Sequence, residues 1–252
     1  GQVNASAVTD INGTAAQVAA VIADTSITKP TNFNSVLTGA AIATDIAAIE
    51  AANGSGSING AVLTAIDGTA VDVVQALTDL DTDPTNFTSL ISAGTVLASH
   101  LITISTNNSG QVDASLASSI NGTAADVLSV INDLEISTST VFNSTLTGIA
   151  SAADIAAIRA ATTGQLYASA VTDINGTAAE VAAVIADPSI TKPTTFNSVL
   201  TGVASTTDIA TIEAANGSGS INGASITSID GTAAAVLQAL TDLDTDPTNF
   251  TS

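Results

Sequence analysis

Cysteine, methionine and tryptophan are absent from these 252 residues, Lys and Arg together number three, and there is a single histidine. Without Cys there is no disulfide framework and no thiol chemistry, although that absence does not itself choose a compartment. One histidine leaves one ordinary general base near neutral pH. Three cations against 23 acidic residues give a formal charge of −20, a field that repels phosphate backbones and anionic headgroups, so no nucleic acid is expected as a partner. Hydrophobic residues make up 45% of the chain but aromatics only 2%. No apolar run approaches the roughly 18 residues a membrane span needs, so no membrane insertion is expected and the chain reads as soluble.

What is present is repetition. Residues Gly1 to Ser89 reappear as Gly164 to Ser252, identical at about five-sixths of their positions. Inside that block runs a shorter period, marked by Gly-Thr-Ala beginning at Gly13, Gly68, Gly122, Gly176 and Gly231. All five phenylalanines, Phe33, Phe87, Phe142, Phe196 and Phe250, keep the same beat. The period divides the chain into units at 1–55, 56–109, 110–163, 164–218 and a partial 219–252. So small a unit, nearly free of aromatics, buries too little apolar surface alone to offset its chain entropy, so its neighbours must complete the core. The expected architecture is an α/β repeat solenoid, each unit carrying one short strand and two to three short helices, stacked into an elongated rod. The pattern also reads as a window onto a longer array.

Within a unit, β-branched stretches flanked by glycine predict a strand, at Gly1 to Ile11 (Val3, Ala5, Val8 and Ile11 apolar) and at Ile58 to Ile66, Val112 to Ile120, Leu166 to Ile174 and Ile221 to Ile229. Asn12-Gly13 or Asp67-Gly68 then marks a turn, and Thr14 a helix N-cap. Thr14-Ala-Ala-Gln17, Thr123-Ala-Ala-Asp126 and Thr177-Ala-Ala-Glu180 approach a capping box. The helix that follows turns Val18, Val21 and Ile22 inward, with Val73, Leu77 and Leu80 or Val127, Val130, Ile131 and Leu134 as counterparts. A second short helix is expected around Phe33, with Pro30 or Pro84 in its first turn, Gly39, Gly148 or Gly202 at its stop, and Phe33, Val36 and Leu37 as anchors. A third starts near Thr44, Ser151 or Ser205 and ends at Asn53-Gly54, Thr163-Gly164 or Asn216-Gly217.

Few residues carry candidate chemistry. His100 lies among Leu97, Leu101 and Ile102 and reads as a packing residue. Lys29, Arg159 and Lys192 are too dispersed for an anion clamp and are expected to be solvated or paired with carboxylates. Gly54-Ser-Gly56 follows a helix and leads into a strand, the reverse of a phosphate loop. The run Asp79, Asp81, Asp83 recurs as Asp242, Asp244, Asp246 and spaces carboxylates as the start of a calcium loop does. Pro84 stands where an EF-hand needs glycine and no glutamate closes the loop, so two readings stay open: an irregular calcium site, or a helix end whose Asp83 caps the next helix. Asn-x-Ser/Thr sequons, Asn53 and Asn216 among them, offer glycan acceptors or plain turn chemistry. No catalytic residue and no other cofactor is indicated, and an enzyme is not expected.

The Gly-Thr-Ala-Ala helix starts after Val/Ile-rich strands, together with Asp-Ile-Ala-Ala-Ile helices, resemble those of the very long tandem-repeat proteins on the surfaces of cyanobacteria and other aquatic bacteria. The resemblance implies adhesion, surface layers, extracellular filaments or surface motility. Near-identical surfaces on Gly1–Ser89 and Gly164–Ser252 suit lattice or side-by-side contacts with further copies of the chain. The expected function is an extracellular structural element of a self-associating filament or surface layer. The alternative is a spacer stalk of a large adhesin.

Overall fold

Most helices begin where the sequence supplies a cap, and the computed structural model, which describes residues 1–252, contains nine of them. They are α1 (Ala15–Ala23), α2 (Ala43–Glu50), α3 (Ala70–Asp79), α4 (Ala98–Thr106), α5 (Ala124–Asn132), α6 (Ala152–Ala161), α7 (Ala178–Ala186), α8 (Thr206–Glu213) and α9 (Ala233–Asp242). Thr14 and Thr177 each close a full capping box, the second with Glu180. Thr69 and Thr232 cap α3 and α9, and the Thr123 hydroxyl accepts the Asp126 N–H at the start of α5. Ser151 and Ser205 cap α6 and α8, whereas α2 and α4 start at Ile42 and Leu97 with no side-chain cap.

The strands are β1 (Val3–Asn4), β2 (Ile27–Thr28), β3 (Ser35–Ile42), β4 (Ile58–Asp67), β5 (Ser89–Leu90), β6 (Gly94–Leu97), β7 (Val112–Ala114), β8 (Ala117–Asn121), β9 (Ile136–Thr138), β10 (Ser144–Ser151), β11 (Leu166–Thr177), β12 (Ile190–Thr191), β13 (Ser198–Ser205) and β14 (Ile221–Asp230). This corrects the expected second helix: the segment after Phe33 is β3, and its counterparts are β10 and β13. Ser35, Leu37 and Ala41 point inward and Val36, Thr38 and Ala40 outward, the period-two alternation of a half-buried strand. Each complete sequence unit therefore holds two helices, and more than one strand. Gly39, Gly148 and Gly202 do not stop helices. They sit inside β3, β10 and β13 at φ 73°, 72° and 71°, where pairing with the next strand slips by one residue. Such a bulge needs a left-handed residue, which glycine adopts at no steric cost.

The chain forms two compact units, Gly1–Ser118 with Asp133–Ser139, and Ser119–Asn132 with Thr140–Ser252. The sequence boundaries at 55, 109, 163 and 218 all fall in turns or bends. In the first unit β1 pairs with β2, β3 with β4, and β7 lies between β5 and β9, all parallel. Helices α1 to α4 pack on one another in order. In the second unit β10, β11, β13 and β14 form one parallel path with β12 added to β11, and α5 to α9 pack in order beside it. The paired positions, such as Ser144↔Leu166, Ser35↔Ile58 and Leu166↔Ile190, lie a single βα turn apart. One βα turn thus pairs with the next at half the expected spacing, within a sequence unit at Leu166↔Ile190 and across unit boundaries at Ser35↔Ile58 and Ser144↔Leu166.

Polar ladders fix that pairing. Ser35, Ser89, Ser144 and Ser198 are at most 1% exposed, and their hydroxyls donate to the carbonyls of Ile11, Ile66, Ile120 and Ile174 at 2.8, 2.6, 2.6 and 2.7 Å. The side-chain oxygens of Asn12, Asp67, Asn121 and Asn175 accept the N–H of Val36, Leu90, Thr145 and Val199. Each bond joins one turn to the next, so slipping a strand by one residue strands a buried hydroxyl. Beneath them lie Phe33, Phe87, Phe142 and Phe196, all buried, with Leu37, Ile46, Ile49, Ile58 and Ile66 in the first unit and their counterparts in the second. Leu37 anchors as expected, while its neighbour Val36 is exposed.

Candidate functional site

The acidic runs Asp79, Asp81, Asp83 and Asp242, Asp244, Asp246 are the carboxylates the sequence singles out. Asp79 and Asp242 end α3 and α9 and accept from Gln75 and Gln238 one helical turn earlier, both at 2.7 Å. Asp81 and Asp244 leave the helix and each accepts a strand N–H, of Ile58 and Ile221, at 2.8 Å. Burial pushes the Asp83 carboxyl above the usual range. No helix follows Asp83 or Asp246. The chain turns at Pro84 and enters β5, so the expected cap on a next helix is corrected. The six carboxylates are spread over a helix end, a strand edge and a turn, and nowhere do three or more His, Cys, Asp or Glu side chains converge as a ligand set.

Two variants of this turn exist. The short one runs from Asp79 to Phe87 and from Asp242 to Phe250; the long one, with one more position, runs from Asp24 to Phe33, Asp133 to Phe142 and Asp187 to Phe196. The short turns tuck Leu80 and Leu243 inside, each 6% exposed, against Gly60 and Gly223, where a Cβ would stand 2.7 Å from the leucine Cδ1. The long turns place Ile136 and Ile190 inside instead, and Ala114 and Ala168 replace the glycine. Leu134 occupies the Leu80 position of a long turn. With Ile136 already inside, it is 95% exposed, which corrects its assignment to the core face.

The three cations all act on backbone or on carboxylates. Lys29 donates to the carbonyls of Ile22 and Asp24 at the end of α1, the place where a helix dipole favours a cation. Arg159 Nη1 donates to the Thr162 carbonyl at 2.5 Å and the Gly164 carbonyl at 3.3 Å. Hydrogen bonds from the Ser189 N–H and hydroxyl, then the charges of Arg159 and Lys192, hold the Asp187 carboxyl below the usual range. His100 lies half-buried in α4.

A groove of about 450 Å³ lies between α6 and α7. Ala152, Ala153, Ala156 and Ala160 form one wall, Ala183, Val184 and Ile190 the other, and Arg159, Glu180 and Asp187 stand among them. Alanine walls leave the volume unfilled. Glu180 is committed to the capping box, accepting the Thr177 N–H and hydroxyl at 2.9 and 2.8 Å, which lowers its pKa. The corresponding groove between α8 and α9 is smaller, about 310 Å³, and carries Thr206, Thr207, Gln238 and Asp242.

One position distinguishes these helix pairs. Arg159 corresponds to Glu50, Ser105 and Glu213, and Asp187 to Asp79, Asp133 and Asp242. The Ser105 hydroxyl donates to Asp133 at 2.7 Å, and Arg159 attracts Asp187. Glu213 instead faces like charge: burial first, then Asp242 and Asp244, push its carboxyl above the usual range. A further polar row lies under the phenylalanines. Asn108 Oδ1 accepts the Phe87 N–H and Thr162 Oγ1 the Phe142 N–H, while Asn53 and Asn216, fully buried, leave Oδ1 unpaired. Their sequons are closed to a glycan. No helix is long and apolar enough to cross a membrane. No protein-family model, curated protein or solved structure matches the chain.

Proposed function

We propose that this chain is a segment of an extracellular structural repeat protein, an α/β solenoid whose βα turns stack and which associates with further copies of itself into a filament or surface layer. The observation that carries the reading is the ladder of buried serines, in which each hydroxyl binds the carbonyl of the preceding turn. Side chains spent on joining turn to turn specify stacking and little else, and stacking extends without limit as turns are added. The acidic, cysteine-free, lysine-poor composition and the resemblance to long bacterial surface repeat proteins support a place outside the cell. Calcium remains part of the proposal as a countercharge for a chain at −20, held in an irregular site between repeat units by the Asp79, Asp81, Asp83 and Asp242, Asp244, Asp246 runs. Electron microscopy of the purified chain with and without millimolar calcium tests this. Regular filaments or sheets are expected, and isolated particles in both conditions would refute self-association in favour of a spacer.

A further inference from the structure

We propose that the chain cuts itself at its short turns, after Asp83 and after Asp246. Three Asp-Pro steps occur, Asp83-Pro84, Asp187-Pro188 and Asp246-Pro247. At such a step the residue before proline is held extended, and its carboxylate oxygen lies within reach of its own carbonyl carbon. The attack makes a carbon–oxygen bond and breaks the bond to the proline nitrogen, which keeps the electron pair and takes a proton from solvent. Water then opens the cyclic anhydride, leaving aspartate as a new carboxyl terminus and proline as a new amino terminus. Nothing is oxidised or reduced, and atoms balance with water alone.

The fold sorts the three bonds. The Asp187 carboxylate accepts the Ser189 N–H at 2.8 Å and feels Arg159 and Lys192, and its carbonyl accepts the Ile190 N–H at 3.4 Å. Asp83 and Asp246 are exposed, and neither the carboxylate nor the carbonyl of either makes a hydrogen bond. The elements flanking Asp83, namely α3, β4 and β5, carry Asp72, Asp79 and Asp67 and no cation. Its carboxylate is therefore free to turn onto the carbonyl, whereas that of Asp187 must first give up a charged hydrogen bond, which slows attack at least about tenfold. The stack also holds both ends of the cut. Thr82 before it accepts the Gly60 N–H at 2.8 Å and Thr88 after it donates to the Thr64 carbonyl at 3.0 Å, both on β4; Thr245 and Thr251 are bound in the same way to Gly223 and Thr227 of β14. A nicked chain stays assembled while folded and separates on unfolding.

The test holds wild type and Asp83→Asn in mildly acidic buffer with EDTA, at a pH where circular dichroism stays native, beside wild type in guanidinium chloride at the same pH. New amino termini are mapped by mass spectrometry. Folded wild type is expected to cut before Pro84 and Pro247 at least about tenfold faster than before Pro188. The unfolded chain should cut all three at similar rates, Asp83→Asn should lose the Pro84 cut alone, and gel filtration should show the nicked chain at its original size. Equal folded rates at Pro84 and Pro188, or a Pro84 bond that stays whole in the folded chain, would overturn the proposal. So would a Pro84 cut that survives in Asp83→Asn, which would assign it to a contaminating protease.

Discussion

Replacing Gly60 with alanine expels Leu80 from the interior if the short and long turns are built as described. A Cβ at Gly60 stands 2.7 Å from Leu80 Cδ1, so that leucine must shift, and 3.0 Å from Leu63 Cδ1, a tight contact that crowds the same space. The Gly60 N–H keeps its bond to the Thr82 carbonyl, so the backbone has no reason to move and the leucine does. Losing a buried leucine costs about 1.5–3 kcal/mol, and replacing glycine returns about 0.4–1 kcal/mol by restricting the unfolded chain. The net destabilisation is about 0.5–2.5 kcal/mol. Leu80→Ala alone costs about 2–5 kcal/mol, but in the Gly60→Ala background it removes a side chain already outside and costs little. A double-mutant cycle should therefore show a coupling of at least ~1 kcal/mol. With two compact units, a single global transition cannot be assumed, so the readout is native-state hydrogen exchange of α3 amides. Additive costs, or no cost for Gly60→Ala, would refute the slot.

Ser144→Ala leaves the buried Ile120 carbonyl without its 2.6 Å donor and should destabilise β10 by about 1–3 kcal/mol, read by urea denaturation with exchange of β10 amides; a neutral result would remove the serine ladder as the source of register. Thr177→Ala should cost about 1 kcal/mol in the first turn of α7. Because Thr177 holds Glu180 in its charged form, that carboxylate's share of the stability is present above the ordinary carboxylate range and is lost as pH falls through the lowered value. The difference between wild type and Thr177→Ala should therefore narrow on acidification. Glu213→Gln should slow opening of α8 and α9 at pH 7 by removing a charge that burial first, and then Asp242 and Asp244, disfavour. The raised carboxyl protonates in the folded state at a pH above its ordinary value, so wild type gains stability as pH falls through that value and the variant's advantage disappears. Equal exchange at both pH values would refute the like-charge contact.

Local signals were legible wherever chemistry was local. Thr14 with Gln17 and Thr177 with Glu180 announce capped helices because both partners of the box lie within one helical turn, and the strands from Ile58, Leu166 and Ile221 follow from β-branched runs between glycines. The segment after Phe33 misled because Pro30 and Gly39 have the spacing of helix punctuation. Its alternation of Ser35, Leu37 and Ala41 belongs to a strand, and the partner that makes it one, Ile58–Asp67, lies beyond the intervening helix α2. Propensity yields to that pairing.

The groove and the exposed leucine were hidden for a different reason. Asp79-Leu80-Asp81 and Asp133-Leu134-Glu135 are nearly the same three residues, and helical spacing assigns both leucines to the core. What separates them is distributed over three places in the chain: one additional residue before the phenylalanine, isoleucine in place of Thr82, and alanine in place of Gly60. Leu80 and Leu243 accompany Gly60 and Gly223, whereas Ile27, Ile136 and Ile190 accompany Ala5, Ala114 and Ala168. The interior has room for one of the two side chains, so the turn that has both Ile136 and Leu134 must present one to solvent. Five copies of the turn, compared position by position, contain that signal, and no single copy does.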